Sequence, residues 1–200
     1  MLLQNAVTSV SFDDEPLILV DSDDQEVGHM NKASAHTGDG RLHRAFSIFL
    51  FDGPDRVYLH RRSTIKPLWP AFWTNSCCSH PRRGESYQQA TQRRLYEELG
   101  VNTPLEQLYR FEYHATYKDV GSEHELCWVY VGNHSDQTPI KTHPEEIMAD
   151  GWFACDEVDE WTAKHPEDFT PWFLLEWPLL RGRYRMRIQE ILSRSQPAAR

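Results

Sequence analysis

The sequence has no long apolar segment, few cysteines and fewer basic than acidic residues. Its longest apolar-rich run, residues 45–51, is far shorter than the ~20 residues that cross a bilayer. The first residues carry no basic cluster, so we do not expect a secretory signal peptide. Two of the four cysteines are adjacent, at 77 and 78, which disfavours a disulfide framework. These absences predict a cytoplasmic protein without a membrane partner.

The charge balance and the length limit the protein to a few classes. Lys and Arg number 21 against 30 Asp and Glu, and the net charge of −9 argues against nucleic acid as a partner. A chain of 200 residues with 40% apolar residues suffices for one folded domain. No internal repeat or low-complexity linker divides it. We expect an N-terminal extension over residues 1–15 and a single domain over 16–200 that ends in C-terminal helices.

Hydrophobic patterns and turn residues predict strands interspersed with a few helices, which is typical of a mixed α/β sandwich. Strands are expected at 17–20, 43–51, 56–61, 108–117, 125–131 and 151–155, with a hairpin turn at 52–55. Helices are expected at 86–99, 156–164 and 171–193, the last kinked or broken at Pro178. Ser86 and Gln89 form a capping box, and Gly100 follows as the C-terminal cap. Residues 66–84 have three prolines and no helical period, which predicts an ordered functional loop.

The predicted central helix lies in a recognisable motif. Residues 79–101 read S-x5-E-x7-R-R-L-x-E-E-x-G-V, which resembles the Nudix box except at Ser79, which replaces a glycine, and Arg94, which replaces a glutamate. Positions 94 and 98 share one helix face. In Nudix hydrolases that face carries carboxylates that bind divalent cations around a diphosphate. A guanidinium at position 94 instead binds phosphate oxygens directly, which reduces metal binding but retains diphosphate binding.

Three further motifs make the resemblance specific. They are TNSCCSHP at 74–81, HRAFS at 43–47 and TPWF at 170–173. With them the chain resembles type I isopentenyl diphosphate isomerase, a Nudix-fold family, from about residue 17 to 180. The resemblance implies an α/β (α+β) fold with a Nudix-like mixed β-sheet sandwiched by helices. It also implies an isomerase of isoprenoid biosynthesis that interconverts isopentenyl and dimethylallyl diphosphate.

The resemblance implies a metal site made of imidazoles and carboxylates. Glu123 and Glu125 are two residues apart, which puts both side chains on one face of a strand. Such a ligand set suits Mn²⁺, Zn²⁺ or Mg²⁺. Glu98 fits a second Mg²⁺ bound between the protein and the diphosphate. The ligands expected at the first site are His36, His43, His80, Glu123 and Glu125. Apart from the resemblance, histidines scattered along a sequence are more often surface residues or hydrogen-bonded core residues than metal ligands.

The resemblance also assigns the catalytic and substrate-binding residues. Cys78 and Glu125 would transfer protons, Tyr113 would assist Glu125, and Trp172 would cover the substrate. Cys77 occupies a position that varies among relatives, and the residues alone favour a buried inert group for either thiol. The expected diphosphate-binding residues are Lys32, Arg62, Lys66 and Arg94, each of which could otherwise be a solvated surface cation.

The implied reaction explains why these residue types are needed. An unactivated alkene is a poor base, so a positioned acid must protonate C4, and the resulting tertiary carbocation must be shielded from water. An aromatic face stabilises such a cation by roughly 0.5–2 kcal/mol. A base then removes a proton from C2. No flavin fingerprint is present, which is consistent with redox-neutral type I chemistry. The expected partner is a small diphosphate substrate, and the expected assembly is a monomer or homodimer.

Two other functions compete with this interpretation. A Nudix diphosphate hydrolase would release phosphate or a nucleoside monophosphate, and Arg94 in place of a glutamate argues against it. A non-enzymatic, metal- or nucleotide-sensing module would tolerate loss of Cys78, and it leaves the pairing of Cys78 with Glu125 unexplained. Residues 56–84 add a local observation, since they contain six basic and no acidic residues. That stretch predicts a basic pocket wall for a small anionic ligand.

Overall fold

The structure is a computed structural model that describes residues 9–194; residues 1–8 and 195–200, at the ends of the expected extension and domain, lie outside it. None of the described helices is long and apolar enough to cross a bilayer. The strands are β1 (Pro16–Val20), β2 (Glu26–Asn31), β3 (His43–Phe51), β4 (Arg56–Arg62), β5 (Trp73–Thr74), β6 (Cys77–Ser79), β7 (Leu105–Tyr117), β8 (Gly121–Asn133) and β9 (Ile147–Ala154). The helices are α1 (Lys32–Ala35), α2 (Tyr87–Leu99), α3 (Cys155–Lys164), α4 (Pro171–Arg181) and α5 (Arg185–Arg194).

Strand β3 is the centre of a mixed sheet. Its nearly continuous apolar sequence is typical of a strand that is covered on both faces. It pairs in parallel with β8 along its whole length and antiparallel with β6, β1 and the start of β4. The pairing with β4 covers only two residue pairs next to the turn at 52–55, so the expected hairpin forms at its tip and the two strands then diverge.

Helices cover both faces of this sheet, because alternate side chains of β3 enter different cores. Phe49 packs in a cluster with the helices α3, α4 and α5. Ile48 and Leu50 pack in a second cluster with α2. The expected mixed sheet sandwiched by helices is therefore confirmed.

Helix α2 forms as its end signals predict. The Ser86 side chain accepts a hydrogen bond from the backbone N–H of Gln89, and the Gln89 side-chain oxygen accepts one from the backbone N–H of Ser86. Gly100 ends the helix at φ 65°, in the left-handed region that glycine adopts without strain. The helix buries Arg94 and Glu98 as well as apolar side chains, which an exposed amphipathic helix would not do.

Three features differ from the expected elements. Strand β2 and helix α1 were not predicted, since 26–35 has no regular apolar alternation. The loop at 66–84 contains the short strands β5 and β6, because pairing with β3 and β4 satisfies its backbone groups. The C-terminal helix breaks at Gly182 and not at Pro178, which lies exposed inside α4. The N–H of Gly182 bonds to the Pro178 carbonyl and ends the helix there.

Candidate active site and metal centre

The structure brings together the five expected metal ligands from four separate segments. One ligand atom from each side chain lies within 4.8 Å of all the others. The β3–β8 pairing places His43 directly opposite Glu125, and Glu123 is two residues away on the same strand face. His36 follows α1, and His80 follows β6. No single element could assemble this group, because its members are held by sheet register and by two loops.

Several polar atoms in this cluster suit a cation. His36 Nδ1 lies 2.7 Å from the Lys32 carbonyl oxygen and His43 Nδ1 lies 2.6 Å from that of Arg41. Each Nδ1–H therefore donates to a carbonyl, so Nε2 is the nitrogen that would bind a metal ion in the cluster. His43 Nε2 and His80 Nδ1 are buried without a hydrogen-bond partner among the described residues. Orphaned nitrogens beside two buried carboxylates fit a divalent transition ion.

Burial and mutual charge shift the pKa values of this cluster. Burial lowers the pKa of His43 to about 3, with a further contribution from the neighbouring charge of His36. Burial alone would raise the pKa of Glu123, but His36 outweighs it and lowers that pKa to about 2. The pKa of Glu125 is raised well above its ordinary value by burial and then by the charge of Glu123. Two carboxyl groups so close together favour one shared proton or a bound cation.

Glu125 is also held by a phenol. Tyr113 lies opposite Glu125 in the β7–β8 ladder, and its hydroxyl donates to Glu125 Oε2 at 2.7 Å. His80 Nε2 is 2.9 Å from the other oxygen of the same carboxyl group. Burial, and then the Glu125 charge, raises the pKa of Tyr113 well above its usual range, so the phenol keeps its proton. The carboxyl group is therefore fixed in orientation on both oxygens.

The two adjacent cysteines face different environments because β6 alternates its side chains. Cys77 is fully buried in the apolar cluster against α2. Cys78 lines a pocket, with its Sγ 4.0 Å from Arg62 Nη1. Burial raises the pKa of Cys78 to about 12, although Arg62 opposes this shift. The thiol therefore carries its proton at neutral pH, which differs from the proton exchange near neutrality that a thiol beside a metal and basic groups was expected to show.

Trp172, at the start of α4, closes the pocket from one side. Its indole N–H donates to Thr74 Oγ1 at 2.9 Å, which fixes the ring plane. The Arg62 guanidinium lies 5.2 Å from the ring centroid, within the range of a cation–π contact. Trp172 is 3% exposed, so the ring is a buried, fixed wall of the pocket.

One pocket collects nearly all the expected residues. Its lining includes Lys32, Arg62, Lys66, Cys78, His80, Arg94, Tyr113, Glu123, Glu125 and Trp172, together with Ser47 and Ser79. His36 lines an adjoining cavity that shares Lys32, Arg62 and Lys66 with this pocket. His43 and Glu98 do not line the pocket, but His43 Nε2 lies 3.9 Å from Glu125 Oε1 and Glu98 pairs with Arg94, and Glu125 and Arg94 both line it.

Arg94 is an interior cation and not a surface one. It is 2% exposed and donates from Nη2 to Glu98 Oε1 at 2.5 Å. Burial and the partner Arg94 act in opposite directions on Glu98, and burial prevails, so the pKa of Glu98 is raised. The replacement of glutamate by arginine in the motif thus converts a pair of like charges into an ion pair. In this structure the Glu98 carboxylate is therefore paired with Arg94.

Several carboxylates and a backbone segment near these cations were not predicted from the sequence. Glu15 and Glu146 are each 5% exposed and pair with Lys32 and Lys66, respectively. The Val10 carbonyl accepts from Arg94, and the Ser11 hydroxyl accepts from Lys32. Thus residues 9–15 pack on the site, where the sequence suggested a loose extension. No spacing signal in the sequence marks these groups, because they come from segments that are far apart along the chain. Val10 and Arg94, for example, are separated by 84 positions.

The basic stretch at 56–84 only partly forms a pocket wall. Of its six cations, Arg62 and Lys66 line the pocket. Arg56 pairs with Asp136 and Arg82 with Glu15. The charge of the pocket is therefore set by acids from other segments as well as by this stretch.

Taken together, the pocket combines a thiol, a carboxyl–phenol pair, an indole wall and four cationic side chains. The thiol and the carboxyl group can exchange protons with a bound molecule, since both line the same cavity. The cations can hold a doubly charged phosphate group. The indole can stabilise positive charge that develops beside its face.

The chain is similar in sequence to known protein families. A model of the NUDIX domain matches residues 41–173. The chain is 44% identical to "Isopentenyl-diphosphate Delta-isomerase 1" of Photorhabdus laumondii, over 82% of this chain and 93% of that protein. It is 45% identical to the "Isopentenyl-diphosphate Delta-isomerase" of Serratia proteamaculans, over 80% and 88%. The protein of the same description in Haloarcula marismortui is 39% identical over 80% and 87%.

Solved structures share the fold at lower identity. A crystal structure of a Deinococcus radiodurans protein superposes with a TM-score of 0.61 at 22% identity, over 75% of this chain and 90% of that chain. A MutT protein from Methanosarcina mazei gives a TM-score of 0.54 at 13% identity, over 78% and 96%. These likenesses bear on the fold alone.

Proposed function

The chain belongs to the Nudix superfamily and, within it, to the isopentenyl-diphosphate Delta-isomerase family, and from this premise we propose how its pocket performs that reaction. The enzyme interconverts isopentenyl and dimethylallyl diphosphate, a step of isoprenoid biosynthesis. Cys78 and Glu125 are the proton-transfer groups, and the carbon skeleton lies between them. The observation that carries this assignment is that Cys78, the Glu125–Tyr113 pair and Trp172 line one pocket with four cations.

Burial raises the pKa values of both Cys78 and Glu125, so both groups are protonated in the metal-free site, and Glu125 would become the C2 base once a bound cation displaces its proton. Cys78 holds its proton, since its pKa is raised to about 12 by burial. It is thus suited to deliver a proton to C4 of isopentenyl diphosphate. Loss of a C2 proton to a base on the other side then gives the internal alkene, so the reaction consumes no net proton. Glu125, assisted by the hydrogen-bonded Tyr113, would take the C2 proton, and proton exchange with solvent would then restore the Cys78 thiol and the Glu125 carboxylate. Trp172 shields the cationic centre from water.

We propose that the five-residue cluster holds one divalent ion, Mn²⁺, Zn²⁺ or Mg²⁺, and that Mg²⁺ also accompanies the diphosphate beside Glu98. A bound cation would neutralise the two carboxylates and keep Glu125 fixed. The Nudix relationship and the geometric fit of the cluster support a divalent metal. For Glu98 to bind this ion, its ion pair with Arg94 would have to be partly broken. No flavin takes part in this proposal.

Lys32, Arg62, Lys66 and Arg94 bind the diphosphate in this proposal. The four residues come from α1, β4, the loop after β4 and α2. The diphosphate-binding site therefore forms only in the folded protein. The pocket is sized and charged for a small molecule, and we propose no nucleic acid or membrane partner. The enzyme is proposed to work in the cytoplasm as a monomer or homodimer, with the single domain over 16–200.

The test is proton NMR of the purified protein with Mg²⁺ and isopentenyl diphosphate in D₂O. The expected result is dimethylallyl diphosphate with deuterium incorporated from the solvent. Liberated phosphate instead of a new alkene would identify a hydrolase. No reaction in a folded, metal-loaded sample would contradict the isomerase assignment. His114 is an exposed histidine outside the metal cluster. The variant His114→Ala is therefore the control for substitutions of the cluster histidines, and it should keep full turnover.

A further inference from the structure

Glu146 is a buried carboxylate wedged between two of the site's cations. It is 5% exposed. Its side chain forms an ion pair with Lys66, and its Oε1 lies 3.4 Å from Arg94 Nη2. Burial would raise the pKa of Glu146, but Lys66 and then Arg94 lower it to about 2. The group is therefore a permanent negative charge between two residues that reach the pocket.

The backbone around Glu146 is tied to both elements that carry these cations. The Glu146 carbonyl accepts from the N–H of Ser63 at 2.8 Å, in the loop that leads to Lys66. The N–H of Glu146 donates to the His143 carbonyl at 3.0 Å, and the N–H of His143 donates to the Glu98 carbonyl at 2.8 Å. Glu98 lies on α2, four residues after Arg94. The segment before β9 thus joins α2 to the loop after β4.

The cations need such a partner because they repel one another. Lys66 and Arg94 both lower the pKa of Lys32, behind the larger effect of its burial. A lysine side chain has four rotatable bonds, and without a counter-charge it extends toward water. Glu15 partners Lys32 and Glu98 partners Arg94. Among the described residues, Glu146 is the carboxylate paired with Lys66, and it contacts Arg94 as well.

We propose that Glu146 is a positioning residue for diphosphate recognition, which holds the Lys66 ammonium and the Arg94 guanidinium converged on one pocket. This inference rests on the proposed function and extends it to a residue that does not line the pocket. Lys has three donor hydrogens and Arg five, so both cations retain donors for phosphate oxygens while they stay bonded to Glu146. The carboxylate need not leave when the diphosphate enters.

The experiment compares Glu146→Gln with Glu145→Gln. The two residues are adjacent, and each substitution removes one negative charge. Glu146 pairs with Lys66 and Arg94, whereas the Glu145 carboxylate forms no ion pair within the described part of the chain. Binding of inorganic pyrophosphate in Mg²⁺ buffer is measured by calorimetry, and turnover of isopentenyl diphosphate gives kcat and KM. For Glu146→Gln we expect about tenfold weaker pyrophosphate binding and a similar rise in KM, with kcat within about twofold of the parent. Glu145→Gln should match the parent.

Other outcomes are decisive in the opposite direction. Unchanged pyrophosphate binding in Glu146→Gln would overturn the proposal, and tighter binding would mean that Glu146 competes with the ligand. A merely structural role predicts a lower melting temperature and a lower kcat without the selective loss of pyrophosphate binding. Glu146→Asp keeps the charge with a shorter arm, so it should recover part of the affinity, and it replaces Glu146→Gln if that variant does not fold.

The proposed function is tested separately by the same data. If the parent turns over and binds pyrophosphate but Glu146→Gln is indistinguishable from it, the role of Glu146 is wrong and the isomerase stands. If the parent fails to isomerise but Glu146→Gln still loses pyrophosphate affinity, the role stands and the isomerase assignment is wrong. If the parent does not bind pyrophosphate, the diphosphate site itself is wrong and the role of Glu146 falls with it.

Discussion

At the scale of single residues, neighbours in sequence have different functions because a strand turns them to opposite sides. Cys77 is fully buried against α2, whereas Cys78 is partly exposed to the pocket. Both thiols keep their protons, since burial raises both pKa values. Access to the bound molecule, and not acidity, therefore separates the proposed catalytic thiol from the inert one.

Substitution of the two thiols should separate activity from packing. Cys78→Ala should lower kcat by at least about a thousandfold, because it removes a general acid–base group, with little change in melting temperature. Cys77→Ala should retain turnover and lose about 1 kcal/mol of stability through the small cavity. Steady-state kinetics and thermal unfolding of both variants check this. An inactive but folded Cys77→Ala would mean that the wrong thiol was chosen.

Glu176 is a buried acid on α4 whose ionisation makes the stability of the folded state depend on pH. It is fully buried, and its Oε1 lies 3.9 Å from Cys127 Sγ. Burial raises its pKa to about 8, although hydrogen bonds from Ser47 and Cys127 oppose this. A raised carboxyl pKa means that the folded state binds the proton more tightly, so stability is full below pH ~4.5 and falls as pH rises toward 8.

Glu176→Gln should remove that dependence, because the amide resembles the protonated acid in shape and carries no charge. The unfolding free energy of the variant relative to the parent should increase by on the order of 3 kcal/mol between pH 5 and pH 8. Urea unfolding at several pH values measures it. Glu190→Gln, at an exposed position on α5, is the charge-matched control and should give a constant difference. A constant difference for Glu176→Gln as well would contradict the assignment of a buried neutral acid.

At the scale of elements, the site depends on close backbone contact between β8 and the end of α1. The N–H of Ser122 donates to the His36 carbonyl oxygen at 2.9 Å. Gly121 precedes it, and a methyl group there would overlap the same carbonyl oxygen. A backbone atom cannot move aside as a flexible side chain can. The glycine therefore permits the approach that brings His36 to Glu123, whose carboxylate is 2.7 Å from His36 Nε2.

Gly121→Ala should consequently push His36 away from the cluster. We expect a loss of about 2 kcal/mol in stability from overpacking and at least about tenfold weaker metal binding. Gly151→Ala in β9 is the matched control, since its methyl group would meet the Phe153 ring at an ordinary 3.5 Å. Metal titration and thermal unfolding of both variants measure the effect. Normal metal affinity in Gly121→Ala would show that His36 does not depend on this contact.

At the scale of the whole molecule, the proposed metal cluster brings together segments that are distant in sequence. His36, His43, His80 and the two glutamates of β8 come from four parts of the chain. An ion bound there would cross-link α1, β3, β8 and the segment after β6. Binding to the folded state alone stabilises that state by mass action.

Removal of the metal should therefore affect both activity and stability. After dialysis against a chelator, we expect loss of turnover and a melting temperature lower by several degrees, roughly as for 1–3 kcal/mol in a chain of this length. Re-addition of Mn²⁺, Zn²⁺ or Mg²⁺ should restore both, and elemental analysis should find about one tightly held ion per chain. His43→Ala should not retain that ion, whereas His114→Ala should. Equal metal content in the two variants would contradict the proposed ligand set.

The sequence by itself determined the family, the helix α2 with its two caps and the residue types of the site. Local signals suffice for these, because capping boxes, box motifs and short signature segments depend on near neighbours. Ser86, Gln89 and Gly100 are such signals, and the expected helix formed where they lie. The strands β2 and the short β5 were not foreseen, since they are stabilised by partners and not by their own patterns.

Only the tertiary structure decided which charges meet. Arg94 was expected to face a diphosphate, and the fold additionally buries it between Glu98 and Glu146. Of the six cations in the basic stretch, two line the pocket, while acids from distant segments set its net charge. Electrostatic energy depends on distance and burial in space, and neither is encoded in the order of residues along a chain.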